Sequence, residues 1–214
     1  MECGTPLQVC AMRATLLDSL GNVQAVADNV YVSDKIVEVG VSPEIEPGTS
    51  SILKGGCDNV IARYKGRDIL LNWTFEMARG ALEPALVAML LNATPIEDGA
   101  DVIGWANPWL GEEPAYVAFE FWMKNQIDDA QDPDWPWIHF CYPSTSWQFA
   151  PQTYGQELQN QTLAGFSRTN LAWGQGPHGD GPGYDIRRGG VWYEDDAYVL
   201  PTAGCGYQTV TPGS

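Results

Sequence analysis

Residues 68–77 read DILLNWTFEM, and their alternation decides the fold class. Ile69, Leu71, Trp73, Phe75 and Met77 fall on one side, and Asp68, Leu70, Asn72, Thr74 and Glu76 on the other. This is the period of two that a β-strand imposes on its side chains. Upstream, Val30 and Val32, then Val37, Val39 and Val41, alternate in the same way and predict one or two strands. Between them lies SPEIEPGTSSILKGGCD, residues 42–58, which has no regular period. A hairpin turn needs about two to five residues, so this stretch predicts a long inter-strand loop, bent at Pro43, Pro47, Gly48, Gly55 and Gly56.

Downstream the period changes. Leu82, Leu86, Met89 and Leu90 recur at three and four residues behind Pro84, a residue tolerated in a first helical turn, and predict one short helix over about 83–91. Asn92 to Gly111 is rich in turn formers and ends the first half, and the region near 92–114 reads as a candidate seam. Ala115 to Lys124 alternates again, with Val117, Phe119, Phe121 and Met123 opposite Ala118, Glu120, Trp122 and Lys124. WIHFCY (137–142), residues 158–170 and VWYEDDAYVL (191–200) are further strand candidates, and 174–190 is a Gly- and Pro-rich loop. Nine Trp, nine Tyr and six Phe with 23 Gly and 15 Pro agree with a sheet-rich chain with many turns.

Composition excludes some functions. With 11 Lys and Arg against 27 Asp and Glu, the chain carries −16, which repels nucleic acid and anionic membranes. The longest apolar run, Ala85 to Leu91, is far short of the roughly 20 residues of a membrane span. The first basic residue is Arg13, so no secretory leader is expected and synthesis in the cytosol is. Cys3, Cys10, Cys57, Cys141 and Cys205 are odd in number with no Cys-x-x-Cys spacing, which points to reduced thiols and not to a disulfide framework or a zinc site.

Enzyme signatures fail on context. Gly174, Gly176 and Gly179 match a dinucleotide fingerprint, but Pro177 interrupts it and no strand leads in. Asp128, Asp129, Asp132 and Asp134 suit a hard cation but lack the glycine and terminal Glu of a calcium loop, and an acidic run is usually a solvated face. Glu194, Asp195 and Asp196, with Trp105, Trp109, Trp122, Trp135, Trp137 and Trp147, suit a sugar-processing site, although aromatics at period two more often fill a sheet core. His139 and His178 lie in no nucleophile motif, and the sequons at Asn72, Asn92 and Asn160 read as chance matches. No catalytic residue, metal or cofactor is expected.

The segment from Glu44 to Leu91, about a quarter of the chain, resembles the major tail protein, or tail tube protein, of long-tailed bacteriophages. Ile45-Glu46-Pro47-Gly48-Thr49, Leu53-Lys54-Gly55-Gly56-Cys57-Asp58 and Tyr64-Lys65 carry the likeness first. Leu70-Leu71-Asn72-Trp73-Thr74-Phe75-Glu76 and the helix Glu83 to Leu91 follow in the same order. The residue-to-residue match ends after Leu91. The resemblance implies a mainly β fold, a tail-tube-like β-sandwich or half-barrel with one short flanking helix and a long inter-strand loop. It also implies one domain over 1–214, with an elaboration from about 112 onward as the alternative for the Trp-rich second half.

By the same resemblance the chain is a structural virion protein, assembled in the host cytoplasm into stacked hexameric rings. Its partners would be further copies of itself and other tail proteins such as the tape measure and terminator, with DNA only in non-adhesive transit. Glu44, Ile45, Glu46, Pro47, Gly48, Ile52, Leu53 and Lys54 would form the loop that reaches the next ring, and Glu38, Asp68 and Glu76 would face the channel. A carbohydrate-binding or carbohydrate-active β-sandwich, or another ring-forming tail or capsid component, stands as the alternative.

Overall fold

A computed structural model describes residues 5–23, 29–81, 83–108, 112–127, 130–151, 161–170, 172, 189–195 and 206–207. Among them one sheet of ten strands dominates, in the order β14-β2-β1-β9-β11-β12-β6-β3. These are Gly206–Tyr207, Val30–Ser33, Thr5–Leu16, Val117–Ile127, Trp137–Phe149, Gln161–Ser167, Ile69–Arg79 and Ile36–Glu46. β10 (Ala130–Gln131) adds to β9, and β13 (Val191–Asp195) adds to β11 beside its first half. Every recorded pairing in this sheet is antiparallel. Strands of the second half, β9, β11 and β12, lie between β1 and β6 of the first, so the turn-rich region after residue 92 does not split the sheet. The predicted strands at 68–77 and 115–124 are present, slightly longer, as β6 and β9.

The sheet is strongly curved. In a flat sheet β6 and β9, separated by β12 and β11, would lie about 14 Å apart, yet the rings of Phe75 and Phe119 come within 6.1 Å. Phe75 meets Tyr142 at 4.6 Å, and Phe119 meets Trp147 at 4.9 Å, both edge-on. The curl carries β3, at the end of the sheet, against β1 near the other end. This is the half-barrel arrangement. The helix α1, Pro84–Leu91, covers its inner face with Leu86, Val87, Ala88, Met89, Leu90 and Leu91 all buried. Pro84 opens α1 at a first-turn position, and Asn92 closes it in the left-handed region at φ 54°. Buried Glu83, just ahead of the helix, accepts hydrogen bonds from Ser33 (2.8 Å) and Tyr31 (3.4 Å), tying α1 to β2. Arg79 is also buried, bonded through Nη2 to Gln161. No helix among the described residues is long and apolar enough to cross a membrane.

Alternation held along β9, but its second face is also covered. Ala118, Glu120 and Trp122 are all at or below 1% exposure, although they point away from the Phe119–Phe121 side. Glu120 sits between Arg13 of β1, which grips both carboxylate oxygens at 2.6 and 2.8 Å, and His139 of β11 at 3.1 Å. Trp122 stacks on His139 with ring centroids 4.4 Å apart, and the Arg13 guanidinium lies 5.5 Å above the indole. Burial alone would raise the Glu120 carboxyl, but Arg13 and the His139 hydrogen bond outweigh it and bring its pKa down to about 2. Cys141, on the same side, is pushed well above its ordinary value by burial and then by Glu120. It is an inert packing thiol.

The structure departs from the sequence expectation at two places. Residues 42–58 are not a loop: β3 continues to Glu46, β4 (Ser50–Lys54) follows, and only a short 3-10 turn, Gly56–Asp58, caps them. The period was invisible because both faces of these strands are exposed, so no burial contrast selects alternate residues. Pro43 lies inside β3 and makes no bend; β3 ends the strand path, where a missing N–H is tolerated. The candidate seam near 92–114 contains a second hairpin, β7 (Thr94–Asp98) with β8 (Asp101–Ala106), turned at Gly99 with φ 67°. The dinucleotide-like glycines, His178, Asn160, Trp109, Asp128, Asp129 and Asp196 fall outside the described residues.

Two consequences are measurable. A Cβ on Gly165 would meet the Trp147 ring at 2.8 Å, so Gly165→Ala should cost about 1–3 kcal/mol in urea unfolding. The folded Glu120 pKa of about 2 lies below its ordinary 4.5, so its contribution is present above pH 4.5 and is lost as pH falls toward 2. The stability gap between wild type and Glu120→Gln should therefore be widest above pH 4.5 and narrow by about 3 kcal/mol on acidification to pH 2.

Candidate assembly surface

β3 and β6 pair along their whole length, from Ile36 beside Arg79 to Glu46 beside Ile69. β4 then pairs with β5 (Val60–Lys65), from Ser50 beside Lys65 to Lys54 beside Val60. The four strands thus form one arm: β3 and β4 run outward, and β5 and β6 return. β12 accompanies β6 only as far as Trp73, whose N–H donates to the Ser167 hydroxyl at 3.0 Å. Beyond that point the arm is a bare two-stranded ribbon, with about 40 Å of path along each strand at about 3.3 Å per residue. None of residues 42–71 is buried.

A kink divides the arm. Pro47-Gly48-Thr49 faces Gly66-Arg67-Asp68, with the Gly66 N–H donating to Thr49 O at 2.8 Å and the Gly48 N–H to Asp68 Oδ1 at 2.9 Å. A Cβ on Gly48 would lie 2.2 Å from Gly66 O, so the close crossing of the two backbones requires glycine. At the tip Cys57 and Asp58 hold φ of 57° and 60°, a left-handed conformation uncommon outside glycine.

The exposed side chains of the arm are apolar to an unusual degree. Ile45, Ile52, Leu53, Val60, Ile61, Tyr64, Ile69, Leu70 and Leu71 are nine of the eighteen exposed large hydrophobic residues among those described. Concentrated on one ribbon, they form a patch and not a scatter. Register sorts them. Ser51, Leu53, Ala62 and Tyr64 give β4–β5 one uncharged face, while Ser50, Ile52, Arg63 and Lys65 occupy the other, and a register shift after Leu53 sets Lys54 beside Val60. A two-stranded ribbon is marginal by itself in water, so this one lacks the cover that would make it stable.

The predicted arm residues are all here: Glu44, Ile45 and Glu46 on β3, Pro47 and Gly48 at the kink, and Ile52, Leu53 and Lys54 on β4. The acidic trio separates. Glu38 lies opposite Ala78 and Glu76 opposite Gly40, so both carboxylates share one exposed face of β3–β6. Glu44 joins them on that face, opposite Asn72, whose amide donates to it at 2.8 Å. Asp68 stands apart at the kink, 3.9 Å from Lys65. The alternation of β3 and β6 would have revealed Glu44 once β3 was known to run through it. Val60, Ile61, Arg63 and Tyr64 were missed because β5 has no buried side to mark it.

The remaining candidates among the described residues have local structural roles. Asp132 is buried and caps the Asp134 and Trp135 N–H groups, a turn-forming role. Trp122 and Trp147 are buried in the sheet, Trp105 packs on Phe149 at 6.2 Å, and Trp135 is 43% exposed. Among the described residues no group of three His, Cys, Asp or Glu side chains is placed to hold a metal. Compared with known proteins, the chain matches no family model and no curated protein at a significant level.

Because Leu53 and Val60 are 60% and 59% exposed, Leu53→Ser combined with Val60→Ser should leave monomer stability within about 0.5 kcal/mol per site in thermal or urea unfolding.

Proposed function

We propose that this chain is a structural assembly protein of the tail tube type, which forms stacked rings through contacts between its own copies. The observation that carries this reading is the arm: a kinked β-ribbon whose nine large apolar side chains are exposed on the isolated subunit. Apolar area of that extent on a soluble protein is normally buried by a partner. A neighbouring copy supplies a cover that is always present at equal concentration.

The rings are hexameric in this reading, with sheet edges joined laterally and the arm reaching the next ring axially. Lateral joining occupies the outer edge of β3, which ends the strand path and otherwise presents unpaired backbone groups. Glu38, Glu44 and Glu76 form an acidic stripe on one exposed face, and the chain is at −16. Turned toward a channel, that stripe repels the phosphate backbone and lets DNA pass without adhering. The chain's place is the virion tail, and its role is passive, without a reaction step.

Electron microscopy of the purified chain over a concentration series tests this. Rings or tubes with a central hole are expected, and a chain that stays monomeric even when supplied with a preformed tail-tip complex would overturn the reading. Removal of Thr49 to Lys65, which takes away the outer hairpin below the kink, should leave folded subunits that no longer stack. Normal tubes from that variant would remove the arm from the assembly.

A further inference from the structure

The outer hairpin has a charge opposite to that of the molecule. Residues 50–67 hold four basic side chains, Lys54, Arg63, Lys65 and Arg67, against one acidic, Asp58, a net of +3 in a chain of −16. Arg63 and Lys65 share one face of β4–β5 with Ile52, and Lys54, beside Val60, follows Ile52 by alternation along β4. Only weak, exposed contacts engage them within the subunit: Lys54 to Asp58 at 3.4 Å and Lys65 to Asp68 at 3.9 Å. No ion pair holds Arg63 or Arg67 among the described residues.

The second hairpin has the complementary character. β7–β8 carries Glu97, Asp98 and Asp101 around its turn, all exposed and with no basic side chain in either strand. Ile96 and Ile103 are 47% and 59% exposed beside them. Its base is fixed to the body by Trp105 against Phe149, which pairs through Leu163 with the Met77 rung. The arm leaves the sheet four residues away along β6, at Trp73. The two hairpins are therefore separate features of one subunit, each two-stranded, each with exposed isoleucines, and of opposite sign.

We propose that the cationic face of β4–β5 docks on the acidic β7–β8 hairpin of a second copy of this chain. The proposal rests on the self-assembly reading above and names the surface that receives the arm. Lys54, Arg63 and Lys65 meet Glu97, Asp98 and Asp101, while Ile52 packs on the exposed isoleucines of that hairpin and excludes water from the centre of the contact. The contact joins unlike patches, so each subunit keeps one free donor hairpin and one free acceptor, and the association propagates. The charges also set polarity, since two arms, or two acceptors, repel one another.

The test uses the intact protein in two measurements. First, an equimolar mixture of isotopically heavy and light wild-type chains is coupled with a zero-length carbodiimide, and mixed-isotope peptides are identified by mass spectrometry. Peptides joining Lys54 or Lys65 to Glu97, Asp98 or Asp101 are expected. Mixed-isotope peptides confined to other sites overturn this pairing and leave self-assembly standing, whereas sedimentation at monomer mass with no mixed peptides overturns both. Second, Lys54→Glu/Arg63→Glu/Lys65→Glu and Glu97→Lys/Asp98→Lys/Asp101→Lys should each weaken association by at least about tenfold at low salt, with circular dichroism unchanged. Combining all six in one chain should restore it. Folded single-sided variants that assemble like wild type, or a folded combined variant that does not recover, overturn the proposal.

Discussion

The contact on which this structure depends is the meeting of Phe75 with Tyr142, Phe119 and Trp147 across four strands. Those rings converge only if the sheet curls, and Gly165 permits it by leaving the Trp147 ring room to lie against the backbone of β12. The indole is pinned there by a 2.8 Å hydrogen bond to Thr145, which in turn donates to Val117 O at 2.7 Å. Once curled, the sheet encloses α1 and brings β3 to β1. The same curl fixes the root of the arm, because β6 is both a wall of the aromatic core at Phe75 and, a few residues earlier, one rail of the exposed ribbon. The core therefore sets the direction in which the uncovered surface points.

Charge is segregated to match. Glu120, a carboxylate sunk in the sheet, is held by Arg13 and His139, and its burial is compensated locally. Buried Glu83 and Asp132 are likewise hydrogen-bonded, whereas the stripe of Glu38, Glu44 and Glu76 lies outside, where solvent screens it. Four of eleven basic residues are gathered in the eighteen residues of the outer hairpin. A chain of −16 that concentrates its cations on its most apolar projection has the two complementary halves of a contact on one molecule.

Legibility in the sequence followed burial contrast. β6 was readable because its inner half is buried on one face only, β9 because large apolar residues alternate along it although both faces are covered, and α1 because apolar residues recur at helical spacing. β1 was not, although it is a central strand: register shifts between Pro6 and Val9 and between Val9 and Ala11 break its alternation where a reader would look for it. β4, β5, β7 and β8 are exposed on both faces, so period two left no trace in them, and their turn residues read as loops. The arm residues were found by their position between strands, but their pairing partners on β5 were not. The acidic face was half legible: Glu38 and Glu76 follow from alternation, Glu44 required knowing that β3 continues through Pro43, and Asp68 belongs to the kink.

The kink is where local backbone chemistry controls the proposed assembly. A heterologous contact closes into a ring or continues as a filament according to the rotation between successive copies, and that rotation depends on the angle between arm and body. Here the angle is set by two glycines whose backbones touch, with Asp68 accepting the Gly48 N–H from the far side. The crossing leaves no room for a Cβ at Gly48, and the Asp68 carboxylate ties the same backbone from its side chain. A ribbon with no core of its own is thus fastened at its middle by a backbone crossing and a carboxylate. In the proposed assembly, restriction of this kind would reduce the entropy lost when a second copy covers the arm.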